Sequence, residues 1–248
     1  MNKKRVLRPL ILLVVILALW QGASSVLAIP SYILPSPLEL GQHMITSFQT
    51  GNLWHHIFTT LREILIGTFY GILLGIVLGY LIAKSTVVER LLMPIILIIQ
   101  IAPKISLAPL FILWFGLGLT SKIALVILVV SFPVMVAQST TIKNIDQNYV
   151  DFMTVLNGNK WQRFIHIELP YSLTAILSGI KVSVTQGMTG AVIGEMMGAQ
   201  AGLGYLLTYG SEMYDIKIIL SSVIILSFLG LILYYIAEFA ESKIIYWK

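Results

Sequence analysis

The 248-residue chain has no cysteine, and only 11% of its residues carry a charge. Without a thiol there can be no disulfide framework, thiolate metal site, iron–sulfur cluster, lipoprotein anchor or cysteine nucleophile. A soluble domain carries about 25% charged residues, so the scarcity of charge argues against a water-exposed globule. Histidine is sparse too: His43, His55, His56 and His166. The adjacent pair His55 and His56 points to different helix faces and makes a poor set of metal ligands. No Ser/His, Asp/Asp or His-rich arrangement falls within the apolar stretches, so we expect no catalytic residue, no metal and no cofactor. A G-x-x-x-x-G-K-[ST] loop is also missing, so ATP is not held through a P-loop here. The net charge of +5 comes without a basic run interleaved with aromatics, which speaks against nucleic acid.

What the chain does have is hydrocarbon: 57% apolar residues and a mean hydropathy of +0.89. A globule of this size cannot bury that much apolar surface in water. The expected fold is an all-α polytopic membrane protein, a single transmembrane domain over residues 1–248 with the lipid bilayer as solvent. A span needs about 20 mostly apolar residues. Six segments qualify, at residues 6–28, 57–83, 91–115, 123–141, 171–198 and 218–240. In the first, Val26 and Ala28 imitate a signal-peptide cleavage site, but the apolar core continues through Trp20 and supports an uncleaved span. The third contains Pro94, Pro103 and Pro109 and is read as one kinked or partly unwound span.

Six spans place both termini on one side. With the termini in the cytoplasm, that face holds Lys3, Lys4, Arg5, Arg8, Lys84, Arg90, Lys143, Lys160, Arg163, Lys243 and Lys248; the other holds Lys122 and Lys217. This asymmetry orients the chain with both termini inside. The external segment 29–56 lacks Lys and Arg and has room for a short surface helix, whereas 142–169 is the one sizeable cytoplasmic element.

Gly67, Gly71, Gly75 and Gly79 recur every four residues, so one helix face is stripped of side chains for close packing. Gly190, Gly194, Gly198 and Gly202 form a second such series. Intramembrane charges are costly and face protein or water. Arg62 and Glu63 are expected at the external interface, and Lys181 is expected to snorkel to the cytoplasmic side. Gln100 and Lys104 flank the break at Pro103, where freed backbone groups can hold a solute. With Glu195, they are the candidate translocation residues; a structural role for Lys104 stays open, as does a helix-contact cap for Glu195.

In the cytoplasmic loop, Asn144 or Asp146 can cap a helix to about Leu156, and Asn157-Gly158 supplies a corner that tolerates positive φ. A second short helix carries Trp161, Phe164 and Ile165 on one face; Leu169-Pro170 ends it and opens the fifth span, where proline suits a first helical turn. Exposed apolar residues in such a loop suit a docking surface.

The same loop resembles the permeases of binding-protein-dependent ABC importers. Their signature is Glu-Ala-Ala, three residues, Gly, nine residues, then Ile-x-Leu-Pro. Here Asp151-Phe152-Met153 holds the first positions, Asn157 the glycine position and Ile167-Glu168-Leu169-Pro170 the close. Asp replaces Glu, bulkier residues replace both alanines, and Asn replaces Gly. Leu34-Pro35-Ser36-Pro37, Ala108-Pro109-Leu110, Trp114-Phe115-Gly116-Leu117-Gly118, Phe132-Pro133, Gly179-Ile180-Lys181, Glu195 and Gly202-Leu203-Gly204-Tyr205 are similar to the branch handling taurine, sulfonates, nitrate and thiamine-precursor pyrimidines. The resemblance implies a type I importer fold in a bacterial-type cytoplasmic membrane. It also implies a permease pair, here a homodimer, a cytoplasmic ABC ATPase subunit and an extracytoplasmic solute-binding protein. Asp151, Phe152, Met153, Asn157, Gly158, Trp161, Arg163, Leu169 and Pro170 would couple to the ATPase, where hydrolysis belongs. The competing class is an ion-gradient-driven transporter or channel, which would need acidic residues at midplane and repeat symmetry between halves.

Overall fold

The computed structural model describes residues 3–27 and 29–245, all helix and connecting turn among those residues. Ala28, the expected end of the first span, and Lys248 of the charge tally lie outside them. Helix α1 spans Lys3–Val26. Prolines then break the chain until α2, Pro37–Gln49, which starts on a reciprocal cap: Ser36 Oγ accepts from Glu39 N, and Glu39 Oε2 accepts from Ser36 N. Gly51, at φ 81°, turns the chain into α3, Asn52–Lys84. At 33 residues α3 is about 50 Å long, more than a bilayer core requires.

Ser85 ends α3 and caps α4, Thr86–Ile101. Beyond Pro103 runs α5, Lys104–Phe115. These two helices meet at 107°. The single kinked span expected at 91–115 is therefore a sharp corner, because Pro103 supplies no N–H for a continuing helix and holds the preceding residue extended. Gly116 and Gly118 lead into α6, Leu119–Lys143. Then come α7, Gln147–Val155, and α8, Lys160–Arg163. A π-turn at Phe164–Glu168 joins α8 directly to α9, Leu169–Met196. Finally α10 is Leu203–Glu212 and α11 is Ile216–Ile244.

Among the described residues, four helical segments are long and apolar enough to cross a bilayer: α3, α6, α8 through α9, and α11. The bent α4–α5 pair has the length and composition of a broken span or a re-entrant loop, and α1 contributes a shorter apolar stretch, Ile11–Val26.

The core is the sandwich of α6 between α3 and α9. The first glycine series faces α6: a Cβ added at Gly67 would lie 2.5 Å from Val126 Cβ, and one at Gly75 would lie 2.5 Å from the Ser131 carbonyl oxygen. Gly71 and Gly79 meet Val130 and Met135 in the same way. From the other side, Gly190 comes against Val126, and Ser183 Oγ donates to the Val130 carbonyl at 2.9 Å. Ile64, Val126, Val130, Val184 and Ala191 fill the space between. The second series is not a packing row throughout. Gly198 and Gly202 have φ of 125° and 117° and form the corner between α9 and α10, a conformation side chains rarely adopt.

Candidate functional site

Three groups of polar or exposed residues stand out against this apolar frame. The first is the arm formed by α7, its corner and α8. Asp146 caps α7 by accepting from Asn148 N at 2.9 Å. At the other end, Asn157 N donates to Thr154 O at 3.0 Å and Gly158 N donates to Met153 O at 2.8 Å. This is the two-bond left-handed helix stop, with Asn157 at φ 55° in its left-handed position. Only Asn157 carries the positive φ; Gly158 does not. A Cβ at Gly158 would lie 2.5 Å from Met153 Cε, a side-chain tip that can swing aside, and 3.1 Å from the Met153 carbonyl oxygen. Asn159 then starts α8 through a reciprocal cap with Gln162, both bonds at 2.8 Å.

The arm presents Phe152, Val155, Leu156 and Trp161 outward, with Phe152 62% and Trp161 67% exposed. Met153 is instead folded against Gly158. Asp151 is exposed and accepts from Gln147 Nε2 at 2.9 Å. One sequence expectation changes here. Leu169-Pro170 opens α9 with proline in its first turn, as expected, but the chain does not stop there: a π-turn, with Leu169 N donating to Phe164 O, carries the helix through without a break. Arg163 also braces the root of the arm. Its Nε donates to Glu168 Oε1 at 2.9 Å.

Glu168 is the residue the sequence reading gave no role. It is buried and also accepts from Lys84 Nζ and from Tyr80 hydroxyl at 3.3 Å. Tyr80 in turn meets the Phe164 ring edge-on at 5.4 Å. One carboxylate thus ties the root of the arm to the end of α3. A carboxylate beside Leu-Pro was the available signal, but Tyr80 and Lys84 lie more than 80 residues away. Nearby, Lys143 pairs with Glu89 at 2.5 Å, fastening α6 to α4.

The second group lies at the α4–α5 corner. Gln100, Lys104 and Gln186 line a cavity of about 230 Å³ whose remaining walls include Leu74, Leu78, Phe132 and Pro133. Lys104 Nζ donates to Gln186 Oε1 at 2.9 Å. The structure brings Gln100 and Lys104 together but sets Glu195 apart.

Glu195 belongs to the third group, at the opposite end from the arm. It is 1% exposed; its Oε1 accepts from Thr60 hydroxyl and its Oε2 from Gly204 N, both at 2.6 Å. Thr60 accepts from Leu203 N at 2.8 Å, and His56 Nδ1 accepts from Gly202 N at 3.0 Å. These side chains satisfy the first N–H groups of α10, which explains Glu195 without a solute. Glu63 is not at an interface but fully buried, 3.7 Å from Lys122. Lys122, counted among the external charges, is itself buried. Lys181 pairs with Glu241, near the end of α11, at 2.5 Å.

Comparison with known proteins agrees with this architecture. Residues 71–246 match the family described as binding-protein-dependent transport system inner membrane component. A probable ABC transporter permease protein from Haemophilus influenzae is 33% identical over 98% of this chain and 99% of its own. The formylaminopyrimidine transport permease protein ThiX from Halalkalibacterium halodurans is 30% identical over 98% of this chain and 96% of its own. A putative aliphatic sulfonates transport permease protein from Escherichia coli is 33% identical over 99% and 94%. In fold, the chain resembles one from the MetNI methionine ABC transporter in inward-facing conformations, with a TM-score of 0.61 at 20% identity, covering 77% of this chain and 94% of that one. The chain belongs to the family of binding-protein-dependent transport system inner membrane components and is the permease subunit of an ABC transporter.

Proposed function

We propose that two copies of this chain form the pathway of an ATP-driven importer for a small anionic or heterocyclic organic solute. A cytoplasmic ATPase pair moves the arm at residues 147–163, and an extracytoplasmic binding protein delivers the solute. The observation that carries this reading is the arm itself: exposed apolar side chains on a rigid corner, rooted through Glu168 in the end of α3. A force applied at Phe152 or Trp161 reaches a membrane-crossing helix through that carboxylate. Relatives named for formylaminopyrimidine, aliphatic sulfonates and taurine support a small organic solute.

Membrane vesicles containing the chain and its co-expressed ATPase are expected to take up solute only with ATP and binding protein. Uptake driven by an ion gradient without the ATPase would overturn the reading. In the same assay, Lys104→Gln is expected to change the half-saturating solute concentration at least threefold while the ATPase stays bound, because it removes the charge from the cavity beside Gln100. Unchanged solute kinetics would return Lys104 to a purely structural role.

The orientation is tested separately. The cysteine-free background allows Gly51→Cys and Asn159→Cys to be introduced singly. The first is expected to react with an impermeant thiol reagent from outside intact cells and the second only after permeabilisation. The reverse pattern would place the arm on the wrong side for an ATPase.

A further inference from the structure

The end opposite the arm holds a cavity of about 470 Å³ between α2, the start of α3, α10 and the start of α11. Its polar side chains include His43, His55, His56, Gln200, Tyr205 and Tyr209, and no Lys, Arg, Asp or Glu lines it among the described residues. The aromatic groups are ordered. His56 and Tyr205 lie nearly parallel, 14° apart with centroids at 5.8 Å, and Tyr205 and Tyr209 continue the row at 26° and 5.8 Å. The row is held in place from behind: His56 Nδ1 accepts from Gly202 N, and Tyr205 and Tyr209 stand one turn apart on α10. Across the cavity, His43 Nδ1 is 3.2 Å from Ser221 Oγ, so α2 is pinned to α11.

The geometry points to a binding site for a flat, uncharged heteroaromatic molecule. Phenol rings present an electron-rich face, which favours offset stacking with an electron-poor ring such as a diazine. The amide of Gln200 and the imidazole nitrogens of His43 and His55 offer both donors and acceptors to the nitrogen and oxygen edge of such a molecule. A sulfonate or nitrate would find no fixed cation to replace its hydration and no ring face suited to it. The volume falls within the range typical of small-molecule pockets. This site gives the proposed importer a solute class and rests on that reading for the side from which solute arrives.

The full-length chain with its co-purified ATPase, in lipid nanodiscs without binding protein, provides the test by saturation-transfer NMR. Formylaminopyrimidine and ethanesulfonate serve as probes. Saturation is expected on the pyrimidine ring protons and not on the ethyl protons of the sulfonate. Tyr209→Leu is expected to cut the pyrimidine signal at least fivefold, and Tyr209→Phe to keep it within twofold. Absence of pyrimidine saturation, equal saturation of both probes, or an undiminished signal in a folded Tyr209→Leu chain would overturn the site. The wild-type comparison of the two probes decides the matter even if Tyr209→Leu does not fold. Retention of the ATPase in the same sample keeps a negative result separate from failure of the importer reading.

Discussion

Gly75→Leu is expected to leave almost no folded protein. A Cβ at this position would sit 2.5 Å from the Ser131 carbonyl oxygen and 2.9 Å from Val134 Cβ. The first of these is backbone in the middle of α6, which cannot swing aside as a side-chain tip can. Leucine adds three carbons beyond that Cβ, so α3 and α6 must separate along the contact that Gly67, Gly71 and Gly79 also need. Overpacking of this kind costs about 3 kcal/mol or more, and in a membrane close backbone approach is a main source of helix association. Monodisperse protein recovered in detergent is expected to fall at least tenfold. Gly41→Ala in α2 provides the contrast, since nothing lies within 4 Å of its added Cβ. There the exchange is expected to stabilise the helix by roughly 0.5–1 kcal/mol. Equal recovery of Gly75→Leu and wild type would mean the series does not hold the core.

The difference between these two glycines also shows how far the amino-acid sequence could be read. Four-residue spacing identified the α3 face that packs closely, because helix geometry alone puts those positions in a row. It could not extend to Gly198 and Gly202, which share the spacing but belong to a turn with positive φ. The apolar runs of α3, α6, α9 and α11 were legible for the same local reason, as was Asp146 as a cap. The α4–α5 segment was legible as interrupted; whether Pro103 bends a helix slightly or by 107° depends on what each half packs against.

Charges were the least legible part of the site. Glu63 was expected at the external interface, Lys122 on the external face and Lys181 reaching the cytoplasmic side, and Glu168 was given no role. Each instead has a partner on another helix: Lys122 for Glu63, Glu241 for Lys181, and Lys84 with Arg163 for Glu168. Pairing across distant segments satisfies a charge where snorkelling would otherwise be needed, and nothing in a single sequence reports it. The consequence for function is direct. Arg163 holds the arm to Glu168 through its Nε, and the exposed chemistry of the arm comprises Asp151, Lys160 and the apolar group around Phe152 and Trp161.

The corner at Asn157 offers the most direct test of the central claim that this arm docks the ATPase and transmits its motion. Asn157 holds φ 55°, and the two bonds from Asn157 N and Gly158 N that close α7 depend on it. Asparagine tolerates this region, glycine adopts it freely, and a β-branched residue resists it. Asn157→Val therefore strains the corner by roughly 1–2 kcal/mol and is expected to turn α7 away from its set direction, whereas Asn157→Gly preserves it. The measurement is the amount of ATPase that co-purifies with each variant, together with solute-stimulated ATP hydrolysis in nanodiscs. Asn157→Val is expected to insert normally, lose at least about five-sixths of its ATPase and show no solute stimulation, with Asn157→Gly indistinguishable from wild type. An Asn157→Val chain that keeps its ATPase at wild-type stoichiometry and remains fully stimulated by solute would contradict the assignment of this arm as the coupling element.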